Sequence, residues 1–221
     1  MDRDKNQTYQ ESLNNIFRGF DFIDEEKGYD LAEEIVLLGV PENERQTEIL
    51  CSMIEADLGK RHIWDALVGS ILIDGVEDEA TSWIGALFKS HAQDFIDQTI
   101  RNANRVWAMA NCLPQEYNEP AALGLVEILK NPARLGETNA GTQEIFEARA
   151  WKYLCLMVRN YPDLEGVFTS NPELFDTTMK KHGDTLTSGT KAFVGRLLLE
   201  KKAQESEGVR AMGNSGPEPK M

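Results

Sequence analysis

Residues 91–112 read HAQDFIDQTIRNANRVWAMANC and contain the most regular hydrophobic pattern in the chain. Apolar and small side chains recur there every three or four residues, at Phe95, Ile96, Thr99, Ala103, Val106, Trp107 and Ala110. Asp97, Arg101 and Arg105 are spaced by four and lie outside that stripe. The pattern predicts one amphipathic helix that ends before Pro114, with its charged side chains facing water.

Similar periodicity predicts helices along the rest of the chain. One of them carries apolar residues at helical spacing up to Leu38 and stops at Gly39, with Pro41 just beyond. The second half of residues 62–75 could form a short buried strand, although its spacing favours a helix. We count about nine helices and no convincing strand pattern. The sequence therefore predicts an all-α fold, either a compact multi-helix bundle or a short irregular α-solenoid.

Residues 150–181 have a distinctive order of elements. A long apolar helix is followed by a turn that holds Pro162, and a shorter amphipathic helix comes next. This order resembles one unit of an armadillo or HEAT repeat. The resemblance concerns helix packing alone, because no second unit aligns in register and no repeat family is assigned.

Length and composition limit the number of domains. A chain of 221 residues with 41% hydrophobic and 27% charged residues is typical of one globular domain with tails. We expect a flexible N-terminus at residues 1–8, a single all-α domain at 9–203 and a disordered tail at 204–221. No apolar run approaches the roughly 20 residues that cross a bilayer, so we expect no membrane partner.

The cysteines indicate a reducing environment. Cys51, Cys112 and Cys155 are odd in number, widely spaced and each flanked by apolar residues, which argues against a disulfide framework. The polar N-terminus also lacks the features of a secretory signal. These observations predict reduced core thiols and a cytoplasmic protein.

No motif in the sequence indicates catalysis. His62, His91 and His182 are far apart, and none is placed at a metal-ligand spacing. The chain has no phosphate-binding glycine loop and no nucleophile elbow. We therefore predict no enzyme activity, no metal, no cofactor and no small-molecule substrate.

The net charge of −14 is shared unevenly between the two halves of the chain. Residues 1–100 carry 22 acidic and 8 basic side chains, whereas residues 101–221 carry 15 of each. A strongly acidic surface repels phosphates and disfavours nucleic acid binding over the whole molecule. The neutral second half stays open to a local basic patch.

Residues 148–162, ARAWKYLCLMVRNYP, predict a helix with an apolar face and a cationic face. At 100° per residue, Arg149, Lys152 and Arg159 fall within about a quarter turn of one another. Arg101 and Arg105 form a similar pair on the preceding long helix. These five cations are the predicted binding residues, although such charge stripes are usually solvated surface.

Two functions are compatible with this pattern. The favoured one is a non-catalytic interaction or scaffold protein that binds a protein partner, or self-associates, through a charged helical face. The alternative is a viral nucleoprotein or coat subunit that packages RNA through the basic patch, with binding that weakens steeply with salt. The RNA hypothesis requires the five cations to share one face.

All four tryptophans lie on predicted apolar stripes, at Trp64, Trp83, Trp107 and Trp151. We therefore expect them in the core. A tryptophan exposed beside the basic residues would instead be a candidate for base stacking or for a partner hot spot.

Overall fold

The computed structural model is almost entirely helical. The structure describes residues 2–20, 23–74, 77–136 and 139–213. These residues form twelve α-helices and no strand. The predicted all-α class is confirmed, with a helix count somewhat higher than the predicted nine.

The helices follow one another with short connections. Their bounds are α1 Asp2–Arg18, α2 Glu25–Leu38, α3 Glu44–Ala56, α4 Lys60–Gly69, α5 Glu77–Phe88, α6 Ala92–Thr99, α7 Ala103–Cys112, α8 Asn118–Lys130, α9 Ala140–Asn160, α10 Glu165–Thr169, α11 Pro172–His182 and α12 Ser188–Gly213. Single 3-10 turns lie at Gln115–Tyr117, Pro132–Leu135, Pro162–Leu164 and Gly183–Thr185. A π-helical turn at Ser70–Asp74 continues α4, so the described part of this segment, residues 62–74, contains no strand.

Local sequence signals explain several helix ends. The Asp24 carboxylate caps α2 by accepting a hydrogen bond from the Lys27 amide at 3.0 Å. The same helix ends at Leu38, and Gly39 then adopts φ 98°, which favours glycine. The predicted stop at Gly39 is confirmed.

The helix predicted over residues 91–112 is wrong as a single element, because the chain breaks between α6 and α7. Asn102 is extended, with φ −119° and ψ 122°, and its side chain accepts from the Asn104 amide at 2.9 Å. Asn102 thus acts as the N-cap of a new helix. The break resets the rotational phase, so the side chains of α7 do not continue the stripe of α6.

Helices extend into both ends of the chain. Helix α1 begins at Asp2 and so includes most of residues 1–8, which were predicted to be flexible. Lys5 in this helix pairs with Glu42 at 2.8 Å, which ties it to the turn before α3. Helix α12 continues to Gly213, and residues 214–221 of the predicted tail lie outside the described residues. The boundaries of the domain at 9–203 stay a prediction.

Buried apolar side chains form one continuous cluster from Tyr9 to Leu198. In the second half of the chain its centre is aromatic. Phe168 and Phe175 stack with ring centroids 4.5 Å apart, and Trp151 lies within 6 Å of both rings. Helix α9 packs against α7, α8, α11 and α12, so it is the structural axis of this half.

Within the described part of the chain, no helix combines the length and apolar character that a membrane span requires.

Candidate interaction surface

Arg105 is buried, contrary to its predicted place on the surface. Only 3% of the residue is exposed. Its guanidinium forms a two-point ion pair with the Asp65 carboxylate on α4, with N to O distances of 2.5 and 3.3 Å. This pair joins α4 to α7, which makes Arg105 a structural residue of the fold.

Gly69 creates the space that the Arg105 guanidinium occupies. A Cβ atom at position 69 would lie only 2.7 Å from Nη2 of Arg105. A side chain at position 69 in the last turn of α4 would therefore displace the guanidinium from its present position. Gly69, Asp65 and Arg105 form one steric and electrostatic unit.

Arg149 and Arg101 are also used inside the molecule. From α9, Arg149 Nη1 donates to the carbonyl oxygens of Ile100 at 3.1 Å and of Arg101 at 2.5 Å. These carbonyls lie in the break between α6 and α7. Arg101 Nη2 in turn donates to the Leu135 carbonyl at 2.7 Å. Both guanidinium groups lie 5.8 Å from the ring centroid of Phe146.

Lys152 and Arg159 are exposed, in agreement with the predicted cationic face of α9. The Lys152 ammonium lies 5.6 Å from the ring centroid of Tyr153. Two turns further along, Arg159 Nη1 donates to the Thr190 hydroxyl of α12 at 3.1 Å. The structure brings Arg101 and Arg149 together beside the Phe146 ring, whereas Arg105 is paired with Asp65 on α4.

The five predicted cations therefore do not form a single open patch. Arg105 is buried and paired with the half-buried Asp65 carboxylate, and Arg101 and Arg149 each donate to backbone carbonyls. The requirement that the RNA hypothesis placed on these residues is not met by this arrangement.

Trp107 is the clearest departure from the predicted core. Its exposed fraction is 57%, whereas Trp64, Trp83 and Trp151 are at most 1% exposed. The expectation that every tryptophan is buried is therefore wrong for Trp107. Residues 105 and 107 are about 200° apart on a helix, so burial of Arg105 turns the indole outward.

We define the outward face of α7 as the surface formed by Asn104, Trp107, Ala108 and Asn111. These residues occupy positions i, i+3, i+4 and i+7, which line one side of a helix. Asn104, Trp107 and Asn111 are exposed and Ala108 is half-buried. None of the four carries a charge, although the chain as a whole carries −14. An exposed indole on an uncharged helix face has the properties of a protein contact surface.

Neighbouring side chains hold α7 in place. The Tyr153 hydroxyl of α9 donates to the Ala103 carbonyl at 3.1 Å, next to the first turn of the helix. The Asn102 cap and the pair of Arg105 with Asp65 fix the same helix from two further directions. The indole is therefore presented by a rigid element.

Helix α2 presents a second, strongly charged surface. Its exposed residues are Glu25, Glu26, Lys27, Tyr29, Asp30, Glu33, Glu34 and Leu37. Among the described residues, no ion pair involves any of its five carboxylates. Helix α2 therefore contributes to the acidic excess of the first half as solvated surface.

The groups considered for catalysis have structural surroundings. Burial raises the pKa of the Cys51 thiol to about 12 and also raises the pKa of Cys155. His182 ends α11, and its Nε2 lies 3.5 Å from a Glu147 carboxylate oxygen. Within the described ranges, no cluster of histidine, cysteine and carboxylate side chains is placed to hold a metal ion.

The chain matches no protein-family model, and no curated protein or solved structure is significantly similar to it.

Sequence reasoning missed Trp107 because it extended one helical phase across residues 91–112. The available signal was Asn102, since asparagine is a strong N-cap residue and could have marked the start of a second helix. A new start at position 103 leaves the burial of Arg105 unexplained, because that burial depends on Asp65 and Gly69, more than 30 residues away.

Proposed function

We propose that the protein is a non-catalytic interaction or scaffold protein that binds another protein through the outward face of α7. The exposed Trp107 is the observation that carries this proposal. Tryptophan is enriched among the residues that dominate binding energy at protein interfaces. An indole has few rotatable bonds, so its immobilisation costs little conformational entropy.

The uncharged residues that flank Trp107 on the outward face of α7 favour a protein partner over RNA. Charged residues are depleted at the centre of protein interfaces, and the outward face of α7 has none. A nucleic acid site instead needs cations that neutralise phosphates. On the opposite side of α7, Arg105 is already neutralised by Asp65.

The rigidity of α7 further supports binding through this face. Contacts from Tyr153, Asp65 and the Asn102 cap hold the helix before any partner arrives. A pre-ordered surface avoids part of the ordering cost of association. This supports recognition by a preformed helix, in contrast to folding upon binding.

The compartment that we propose is reducing and cytosol-like. Cys51 and Cys155 are buried free thiols in the structure. Burial within the apolar core keeps both thiols protonated at neutral pH, which is the form that reacts slowly. Both residues therefore fit a role as small core side chains.

Site-specific photo-crosslinking tests the proposed binding surface. A benzophenone amino acid replaces Asn104 on the outward face of α7, and in a matched control it replaces Ser52, which is exposed on α3. We expect a crosslinked protein product from position 104 that disappears when Trp107→Ala is added, and no such product from position 52. Products that nuclease digests, or equal products from both positions, would contradict the proposal.

A further inference from the structure

We infer that the partner bound by the outward face of α7 is a second copy of this chain, packed antiparallel across a two-fold axis. This inference rests on the proposed function and names its partner. In a two-fold contact the same patch serves both molecules, so the patch has to be self-complementary. The order Asn104, Trp107, Ala108, Asn111 meets that condition.

The spacing of the four residues defines the register of the contact. A two-fold axis that passes between Trp107 and Ala108 places Asn104 opposite Asn111 of the second copy. The same axis places Trp107 opposite Ala108 of the second copy. By symmetry, Ala108 and Asn111 of the first copy lie opposite Trp107 and Asn104 of the second. Each large indole therefore meets a small methyl side chain, an arrangement that lets two helices approach closely.

The amides at the ends of the face are chemically matched. Asn111 Nδ2 donates to the Trp107 carbonyl of its own helix at 2.7 Å. Its Oδ1 is then the atom that can accept a hydrogen bond from Asn104 Nδ2 of the second copy. Asparagine both donates and accepts, so like pairs with like across a two-fold axis.

The charge distribution favours this face for self-association. Two copies that each carry −14 repel one another, mainly through residues 1–100, which hold the whole acidic excess. The outward face of α7 is uncharged, so contact there brings no like charges into direct opposition. Screening by salt weakens the remaining repulsion, and self-association should therefore strengthen as salt is added. A basic partner would show the opposite salt dependence.

The size of the contact sets its expected strength. A helix of ten residues offers a contact below the roughly 1,200 Å² that stable complexes bury, which places it in the weak class. We expect a dissociation constant on the order of 10 to 100 µM. The dimer is then concentration-dependent and exchanges rapidly.

Sedimentation velocity on the full chain tests the inference. We expect a shift from monomer to dimer between about 1 µM and about 1 mM protein, with a smaller dissociation constant in high salt. Trp107→Ala should raise the dissociation constant at least about tenfold. Leu37→Ala removes another large exposed apolar side chain, on α2, and should leave the dimer unchanged.

Cysteine crosslinking tests the register. In a Cys112→Ser background, Asn104→Cys protein is mixed with Asn111→Cys protein under mild oxidation. We expect the mixed 104 to 111 disulfide to form faster than either symmetric product, because the antiparallel register brings those two positions together. Faster symmetric 104 to 104 crosslinking would overturn this register.

The outcomes distinguish self-association from binding of a different protein. A wild-type monomer over the whole range, or a dimer that Trp107→Ala does not weaken, overturns self-association through this face. If position 104 still crosslinks to a different protein in a Trp107-dependent manner, the proposed function survives that result. Loss of both self-association and crosslinking overturns both.

Discussion

The two sides of α7 each carry one residue of the kind usually found on the other side, Arg105 within and Trp107 without. The inward side buries Arg105 against Asp65, beside Val106 and Met109. The outward side exposes Trp107 between uncharged residues. Residue type alone would place the arginine in water and the tryptophan in the core. The comparison shows that a helix phase set by tertiary contacts can override the hydrophobicity of individual residues.

The burial of Arg105 follows from groups on α4. Asp65 supplies the opposite charge and Gly69 supplies the space, so the guanidinium is paired where it is buried. Together these two partners fix which side of α7 faces α4. The exposure of Trp107 is therefore a consequence of residues that it does not touch.

The largest expected effect comes from Asp65→Ala, which leaves the buried Arg105 without its counter-charge. We expect a loss of about 3 kcal/mol in the free energy of unfolding, measured by urea denaturation. Glu33→Ala removes an exposed carboxylate of α2 as the matched control and should change stability by less than about 0.5 kcal/mol. Equal effects of the two substitutions would show that the inward side of α7 is not held by this pair.

A smaller effect is expected from Arg149→Ala, which removes the donor to the carbonyls of Ile100 and Arg101. Because these hydrogen bonds involve a charged donor, we expect their loss to lower the free energy of unfolding by about 2 kcal/mol. Amide hydrogen exchange should accelerate in the first turn of α7. Lys152→Ala, on the next turn of α9, is the control and should leave exchange there unchanged.

Gly69→Ala tests the space that holds the guanidinium. Its Cβ would displace Arg105, and we expect a net loss of about 1 kcal/mol despite the better helix propensity of alanine. Gly195→Ala in α12 has open space around it and should be neutral or stabilising. In an Arg105→Ala background the penalty at position 69 should disappear, and a double-mutant cycle in urea measures this coupling.

The smallest effect on stability is expected from Trp107→Phe, below about 0.5 kcal/mol. Its effect on fluorescence should be large, because Trp107 is far more exposed than the other three tryptophans. The variant should emit at shorter wavelength, and iodide should quench it less than the wild type. Trp83→Phe is the buried control, and if it reduced quenching as much, the exposure of Trp107 would be refuted.

Much of the fold follows from local sequence signals. The residues that end α2 at Gly39 and begin α11 at Pro172 lie within a few positions of the helix ends that they determine. Which charged side chains are exposed and which are held by internal partners could not be predicted in the same way. Arg105 is paired with a residue 40 positions earlier, and Arg149 reaches carbonyls 48 and 49 positions before it. Periodicity carries no information on such distant pairs.

The clamp formed by Arg149 also has a consequence for biosynthesis. A nascent chain that has emerged only as far as α8 contains the whole outward face of α7 but lacks Arg149 and Tyr153, which fix the break and the first turn of α7. Domains fold during synthesis as their contacts become available. The binding face should therefore mature only after α9 has left the ribosome, which delays association until most of the chain has been made.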